Sequence, residues 1–318
     1  MVTDFTTAKS IPDGWKLSGT GSASYTGAGA GLILGKKGDN PTLETTGYMF
    51  FGSLEVTLKA APGQGVVTSI VMLSDSLDEI DWELVGGNAG QVQSNYFGKG
   101  DTSSYDRAAW HNIASPQTIF HTYKVDWTPS AMTLSVDGAV VRALNYKDAQ
   151  GGTRYPQSPM KVRLGIWAGG DPSNGQGTVD WAGGLTDFSK VPYTMYVQNV
   201  KIVNYSPAKS YSFGDNSGDY PSIKIDGGAL MVNNGGTASL TTAASLSTGL
   251  SKATAVPTAN PIGAGARNAT ANSTITSASR TPTASASPIA TGNAGSHVEM
   301  ATTGGLGALF ALAMLIFA

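Results

Sequence analysis

The sequence predicts an all-β fold for residues 1–225 of the 318-residue chain, one sandwich or jelly roll of two packed sheets. Three observations carry this. Short β-branched and aromatic runs recur between turn residues. No stretch keeps a long helical period. Aromatic residues are spread evenly through the first part of the chain and are then absent from Asn233 to Gly292.

The predicted strands are Phe50 to Leu58, Val66 to Leu73, Thr122 to Trp127, Met132 to Val136, Val140 to Leu144, Val162 to Trp167 and Met195 to Val203. Each is rich in residues that suit a pleated, half-buried surface and is bounded by turn formers. Between the fourth and fifth of these runs stands Asp137-Gly138. That dipeptide tolerates the positive φ angles of a type I′ turn, so the two strands form a hairpin.

Composition narrows the function. Twenty Lys and Arg nearly balance 22 Asp and Glu, for a net charge of −2. A nucleic-acid binder needs a basic surface, so that class is excluded. There is no cysteine, which removes disulfides, zinc-thiolate sites and thiol nucleophiles. The three histidines, His111, His121 and His297, argue against a three-histidine metal centre, and His111 and His121 read as ordinary structural hydrogen-bonders. No metal and no cofactor is called for; the chemistry must rest on carboxylates or hydroxyls.

Residues 226–292 read as a disordered stalk. Ser, Thr, Ala, Gly and Pro dominate, as in Ser273 to Pro288, and such a segment buries too little apolar surface to offset its ordering entropy. Its hydroxyls suit O-glycosylation. Two N-glycosylation sequons begin at Asn268 and Asn272, and a third begins at Asn204, near the end of the folded part. The chain closes on the apolar run Leu306 to Ala318, preceded by a polar spacer and by the small triplet Asn293-Ala294-Gly295. That order matches a glycosylphosphatidylinositol attachment signal over residues 293–318, with attachment at Asn293 and membrane contact through the lipid alone. Met1 to Thr7 has neither a basic region nor an apolar core, so an extracellular, lipid-anchored protein requires a secretion leader upstream of this sequence.

The informative segment is Leu77 to Val85, LDEIDWELV. Alternate side chains of a strand share a face, so Glu79, Asp81 and Glu83 lie on one side and Ile80, Trp82 and Leu84 on the other, against the core. Three carboxylates along one face repel one another. A solvated acidic edge or a calcium site is one explanation. Glycosidic cleavage is the other: it needs one carboxylic acid to protonate the leaving oxygen and one carboxylate to stabilise or trap the oxocarbenium-like centre. A third acid between them helps by hydrogen bonding and by holding a neighbour protonated. Glu79 and Glu83 are about 13 Å apart at Cα, and a retaining enzyme brings its carboxyl groups to about 5–5.5 Å. Converging side chains could close that gap, and spacing alone leaves retention and inversion both open.

Glu79-Ile80-Asp81-Trp82-Glu83 resembles the E-x-D-x-E signature of glycoside hydrolase family 16. With Gln93 to Gly100, Phe120 to Trp127 and Gly165 to Asp171, it is similar to the fungal Crh cell-wall transglycosylases over about residues 4 to 215. The resemblance implies a concanavalin-like β-jelly roll with an open cleft and a retaining mechanism. In that reading Glu79 is the nucleophile, Glu83 the general acid/base and Asp81 the residue that orients Glu79. It further implies that a chitin donor is cut and passed to a β-glucan or chitin acceptor in the fungal cell wall. The family's leader and cysteine pair have no counterpart in this sequence. Plain hydrolysis of chitin or β-1,3/1,4-glucan, and an inactive lectin-like wall-binding protein, are the competing functions. Sugar-binding candidates are Gln91, Gln93 and Asn95, which share a strand face by parity, and Trp167 and Trp181, which sit in Gly/Asp-rich surroundings. Aromatic rings stack on the apolar faces of pyranoses and amides bond their hydroxyls. The domain is expected to be a monomer.

Overall fold

The computed structural model describes residues 1–230. The stalk beyond Leu230, the sequons at Asn268 and Asn272 and the attachment signal with Asn293 lie outside the described residues.

Strands among the described residues run in order β1 (Val2–Asp4), β2 (Trp15–Ser18), β3 (Ser22–Thr26), β4 (Gly29–Leu34), β5 (Thr42–Thr45), β6 (Gly52–Lys59), β7 (Val66–Ser74), β8 (Glu79–Val85) and β9 (Gln91–Phe97). They continue as β10 (Ala109–Asn112), β11 (His121–Trp127), β12 (Ala131–Val136), β13 (Ala139–Asn145), β14 (Met160–Ala168), β15 (Tyr193–Asn204), β16 (Ser210–Phe213) and β17 (Ile223–Asp226). One sheet has the order β13-β12-β11-β6-β15-β4-β3, with β1 added on β15. The other has the order β10-β9-β8-β7-β14-β5-β2. Every pairing is antiparallel. This is the two-sheet sandwich that the alternating runs predict.

Each predicted strand appears with its ends shifted by three residues or fewer. Asp137 and Gly138 turn β12 into β13 with φ of 49° and 82°, the paired positive values of a type I′ turn. The N-terminal strands β1 to β5 carry glycine and hydroxyl residues rather than long apolar runs, and periodicity passes over them. A six-residue helix α1 (Gln176–Trp181) is too short to show a helical period.

The core lies between the sheets. Strand β6 alternates buried and half-buried residues along its length, with Leu54, Val56 and Leu58 turned inward. From the opposing sheet, Ile80, Trp82 and Leu84 of β8 enter the same core. Trp82 meets Tyr123 of β11 edge-on at 5.8 Å, a contact that ties the carboxylate-bearing strand to the far sheet. Strand β7 is buried on both faces, unlike β6. Its Val67, Val71 and Leu73 join Trp167 and Ala182 in a second, separate apolar cluster on the outer face of the seven-stranded sheet. Loops must therefore cover part of that outer face. One is held by Gly170, where a Cβ would run into the Gly184 carbonyl oxygen. The glycine lets the 168–171 turn lie against the segment that follows Trp181.

Candidate active site

Strand β8 presents Glu79, Asp81 and Glu83 to the outer face, as its inward partners require. The register places Leu73 of β7 and Phe97 of β9 beside Glu79, Val71 and Asn95 beside Asp81, and Ser69 and Gln93 beside Glu83. Glu79 and Asp81 are nearly buried, at 4% and 3% exposure. Glu83 stays partly exposed. The trio is thus recessed at the Glu79 end and opens to solvent at the Glu83 end, where Gln91 is also partly exposed and Trp110 reaches 40%.

The turn entering β8 is fixed by Asp78, which has no solvent exposure. Its Oδ1 accepts from the Lys99 amide at 2.8 Å, and its Oδ2 accepts from the Gln157 amide at 2.8 Å and the Ser158 hydroxyl at 2.6 Å. Two distant chain segments, one at Lys99 and one at Gln157 and Ser158, therefore converge on the residue preceding Glu79. Leu77 takes a φ of 65° just before it.

Burial sets the electrostatics. It raises the Glu79 carboxyl to about 7, although a hydrogen bond with Asp81 and the field of Arg163 pull it down. Burial, then the charges of Glu79 and Glu83 and the bond to Glu79, hold Asp81 well above the usual carboxylate range. That one bond lowers Glu79 and raises Asp81, the directions expected when the Asp81 carboxyl donates to the Glu79 carboxylate. Burial and the charge of Glu79 raise Glu83 to about 8. Glu79 has a donor and a cation in its favour and Glu83 has a neighbouring anion against it. These neighbours favour ionisation of Glu79 before Glu83.

Gln93 and Asn95 share a strand face, as parity predicts, and the β8–β9 register sets that face beside the trio. Asn95 is partly committed to the backbone, its Oδ1 accepting from the Tyr96 amide at 2.9 Å. Gln91 accepts from Asn88 at 3.3 Å at the open end of the row. Trp167 and Trp181 come together as stacked rings 6.2 Å apart, and the Trp181 indole donates to Gln93 Oε1 at 3.2 Å. The two tryptophans, distant in sequence from Gln93, thus form one wall with it. Trp181 is the last residue of helix α1. His111 bonds Ser94 Oγ at 2.8 Å, and His121 bridges Asp137 at 2.7 Å and the Ala114 carbonyl at 2.9 Å, the structural roles expected of them.

Asn204 is a different case from an exposed sequon. Its Oδ1 accepts from the Phe50 and Ser206 amides at 3.1 and 3.0 Å, and its Nδ2 donates to Tyr211 Oη at 2.8 Å. In the folded domain Asn204 thus serves as a structural bracket, and a glycan would replace one of the two Nδ2 hydrogens beside Tyr211.

Four neighbours of the site escape sequence reasoning. Arg163 of β14 lies beside Val71 and pairs with Glu44 of β5. Glu44 carries no motif, and only the register shows that it faces the site. Asp78 reads in sequence as one more acid of a run. Trp110 is adjacent to His111, and their alternation is the signal that one must face outward.

Comparison with known proteins agrees with this geometry. The family model described as glycosyl hydrolases family 16 matches residues 14–183. Crh-like protein 5 of Aspergillus fumigatus is 58% identical over 224 residues, covering 70% of this chain and 56% of that protein. Crh-like protein 1 of the same fungus is 56% identical over 223 residues, covering 70% of this chain and 62% of that one. The chain thus spans a little over half the length of these curated relatives. A solved structure of a Crh5 transglycosylase in complex with NAG is 57% identical, with a TM-score of 0.68, covering 71% of this chain and 92% of that one. A Bacillus licheniformis beta-glucanase, 23% identical with a TM-score of 0.52 over 64% of this chain and 97% of that one, shares the fold. On the matched family model and on these identities, the chain belongs to glycosyl hydrolases family 16, among its Crh-like members.

Proposed function

We propose that this protein is a retaining transglycosylase of the fungal cell wall that cuts a chitin donor and passes it to a β-glucan or chitin acceptor. The observation that carries the reading is the single-faced trio on β8, with Asp81 donating to Glu79 and Glu83 held protonated beside them. The Glu79 carboxylate attacks the anomeric carbon while protonated Glu83 gives its proton to the departing oxygen. A covalent glycosyl-enzyme results. Glu83, now ionised, takes the proton of the entering hydroxyl, whose oxygen bonds to the anomeric carbon as Glu79 leaves. Asp81 holds Glu79 in line and keeps its own proton throughout.

Water competes for the intermediate. Groups held in line reach effective molarities of roughly 10⁵ M or more, so a bound sugar outcompetes water when its hydroxyl is aligned and solvent is kept out. The buried Glu79 end of the trio favours that outcome. A chitin-derived donor is supported by the relative whose structure holds NAG. The reading includes an extracellular, lipid-anchored protein, with the stalk beyond residue 230 as spacer, acting as a monomer on polysaccharide partners.

The test is to incubate the protein with chitin oligomers and a labelled glucan oligomer and to weigh the products by mass spectrometry. Hybrid chains carrying the label are expected. Shortened chitin alone would make the protein a hydrolase, and no cleavage at all would leave a wall-binding protein.

A further inference from the structure

Trp110 stands on β10, the edge strand of the seven-stranded sheet. Its neighbour His111 turns inward, with its ring 5.8 Å from Trp82 and a bond to Ser94. Side chains alternate along a strand, so Trp110 faces outward. The register then puts it in a single cross-strand row with Gln93 of β9 and Glu83 of β8. Two strand spacings separate Trp110 from Glu83, about 10 Å between Cα atoms. That span suits one to two pyranose rings laid across the sheet.

A tryptophan 40% exposed on an edge strand costs solubility and invites edge-to-edge association. Here it lies at the open end of the trio, beside the amide that the Trp181 indole already orients. From this row we infer that Trp110 is the stacking platform of the acceptor side, on which a neutral glucan or chitin ring lies while its neighbour meets Glu83. The inference rests on transglycosylation by Glu79 and Glu83. Glu83 deprotonates the entering hydroxyl, so the acceptor must approach along the side that Glu83 leaves open. Trp110 shares that row, and it lies away from the buried Glu79 end. The indole supplies a flat apolar surface to the C–H face of the sugar with little side-chain entropy to lose. It touches neither reacting atom; its effect is on where the acceptor sits and how much water is displaced.

The experiment uses an aryl chito-oligosaccharide donor, whose leaving group is a small phenol, and glucan or chitin oligomers as acceptors. Initial rates of phenol release and of transfer product are measured against acceptor concentration for the wild type, Trp110→Ala and Trp110→Phe. The expected result for Trp110→Ala is an acceptor KM raised about tenfold and a transfer-to-hydrolysis ratio lowered to match. Trp110→Phe should recover most of both. Thermal melts check that each variant is folded. A Trp110→Ala protein with wild-type acceptor KM and product ratio would overturn the inference, as would equal losses in Trp110→Ala and Trp110→Phe. Failure of the wild type to release phenol would instead overturn the proposed function itself.

Discussion

Arg163 and Glu44 form an ion pair of 2.8 Å on neighbouring strands of the catalytic sheet, in register with Asp81 two strands away. Lys16 at 3.0 Å and Lys161 at 3.4 Å approach the same carboxylate. Burial opposes the charge on Glu44, yet the hydrogen bond from Lys16 and the fields of Arg163, Lys16 and Lys161 outweigh it and hold the carboxyl below its usual range. Three cations share one anion, and of these Arg163 is the one whose field lowers Glu79.

That arrangement gives paired variants of opposite sign. Arg163→Gln removes a cation that favours ionised Glu79, so the acid limb of kcat/KM should move up by on the order of one pH unit. Glu44→Gln removes the compensating anion, so the limb should move down. A purely structural role would lower activity in both without opposite displacements. The pH profiles of the two variants decide it; shifts in the same direction would refute the electrostatic account.

The raised carboxyls also cost stability. The Glu79 and Glu83 carboxyls are raised to about 7 and about 8 in the fold from an ordinary value of 4.5. Between those limits the native state binds more protons than the unfolded chain, so stability falls as pH rises through the window. Glu83→Gln removes one such group. The variant should gain about 1–2 kcal/mol at the alkaline end of the window, roughly 2–8 °C in Tm, and little below pH 4.5. Melting curves of both proteins across that range provide the check; a gain independent of pH would contradict the assignment.

Asp78 accepts from two backbone amides and one hydroxyl. In Asp78→Asn, either orientation of the amide sets its NH₂ against a backbone N–H. The expected loss is about 2–4 kcal/mol, although the substitution is isosteric. Urea unfolding measures it. A variant with the wild-type midpoint would show that the network does not hold the turn before Glu79.

The bracket at Asn204 bears on modification. In protein secreted from a fungal host, the peptide carrying Asn204 should be recovered without a glycan. Asn204→Ala should cost about 1–3 kcal/mol, because the Phe50 and Ser206 amides lose their acceptor. Glycopeptide mass spectrometry tests the first statement and thermal denaturation the second. A fully occupied Asn204 would mean that the bracket accommodates a glycan beside Tyr211.

Some of this was settled by the sequence alone. Two-residue alternation in LDEIDWELV places three acids on one side of a strand whatever the strand pairs with, because the pleat permits nothing else. Asp137-Gly138 specifies its turn through backbone sterics, which are local. Gln93 and Asn95 follow by the same parity. Tertiary structure decided the rest. Which of the three acids keeps its proton depends on burial by segments far along the chain and on Arg163 and Glu44, brought together only by the β5-β14-β7-β8 order. Trp181 reaches Gln93 across 88 positions of sequence, and Trp110 meets the row of Glu83 only through the β8-β9-β10 register. Local sterics act within a few residues and are written in the sequence. Solvation and charge act through space, so they take their values only once distant strands have paired.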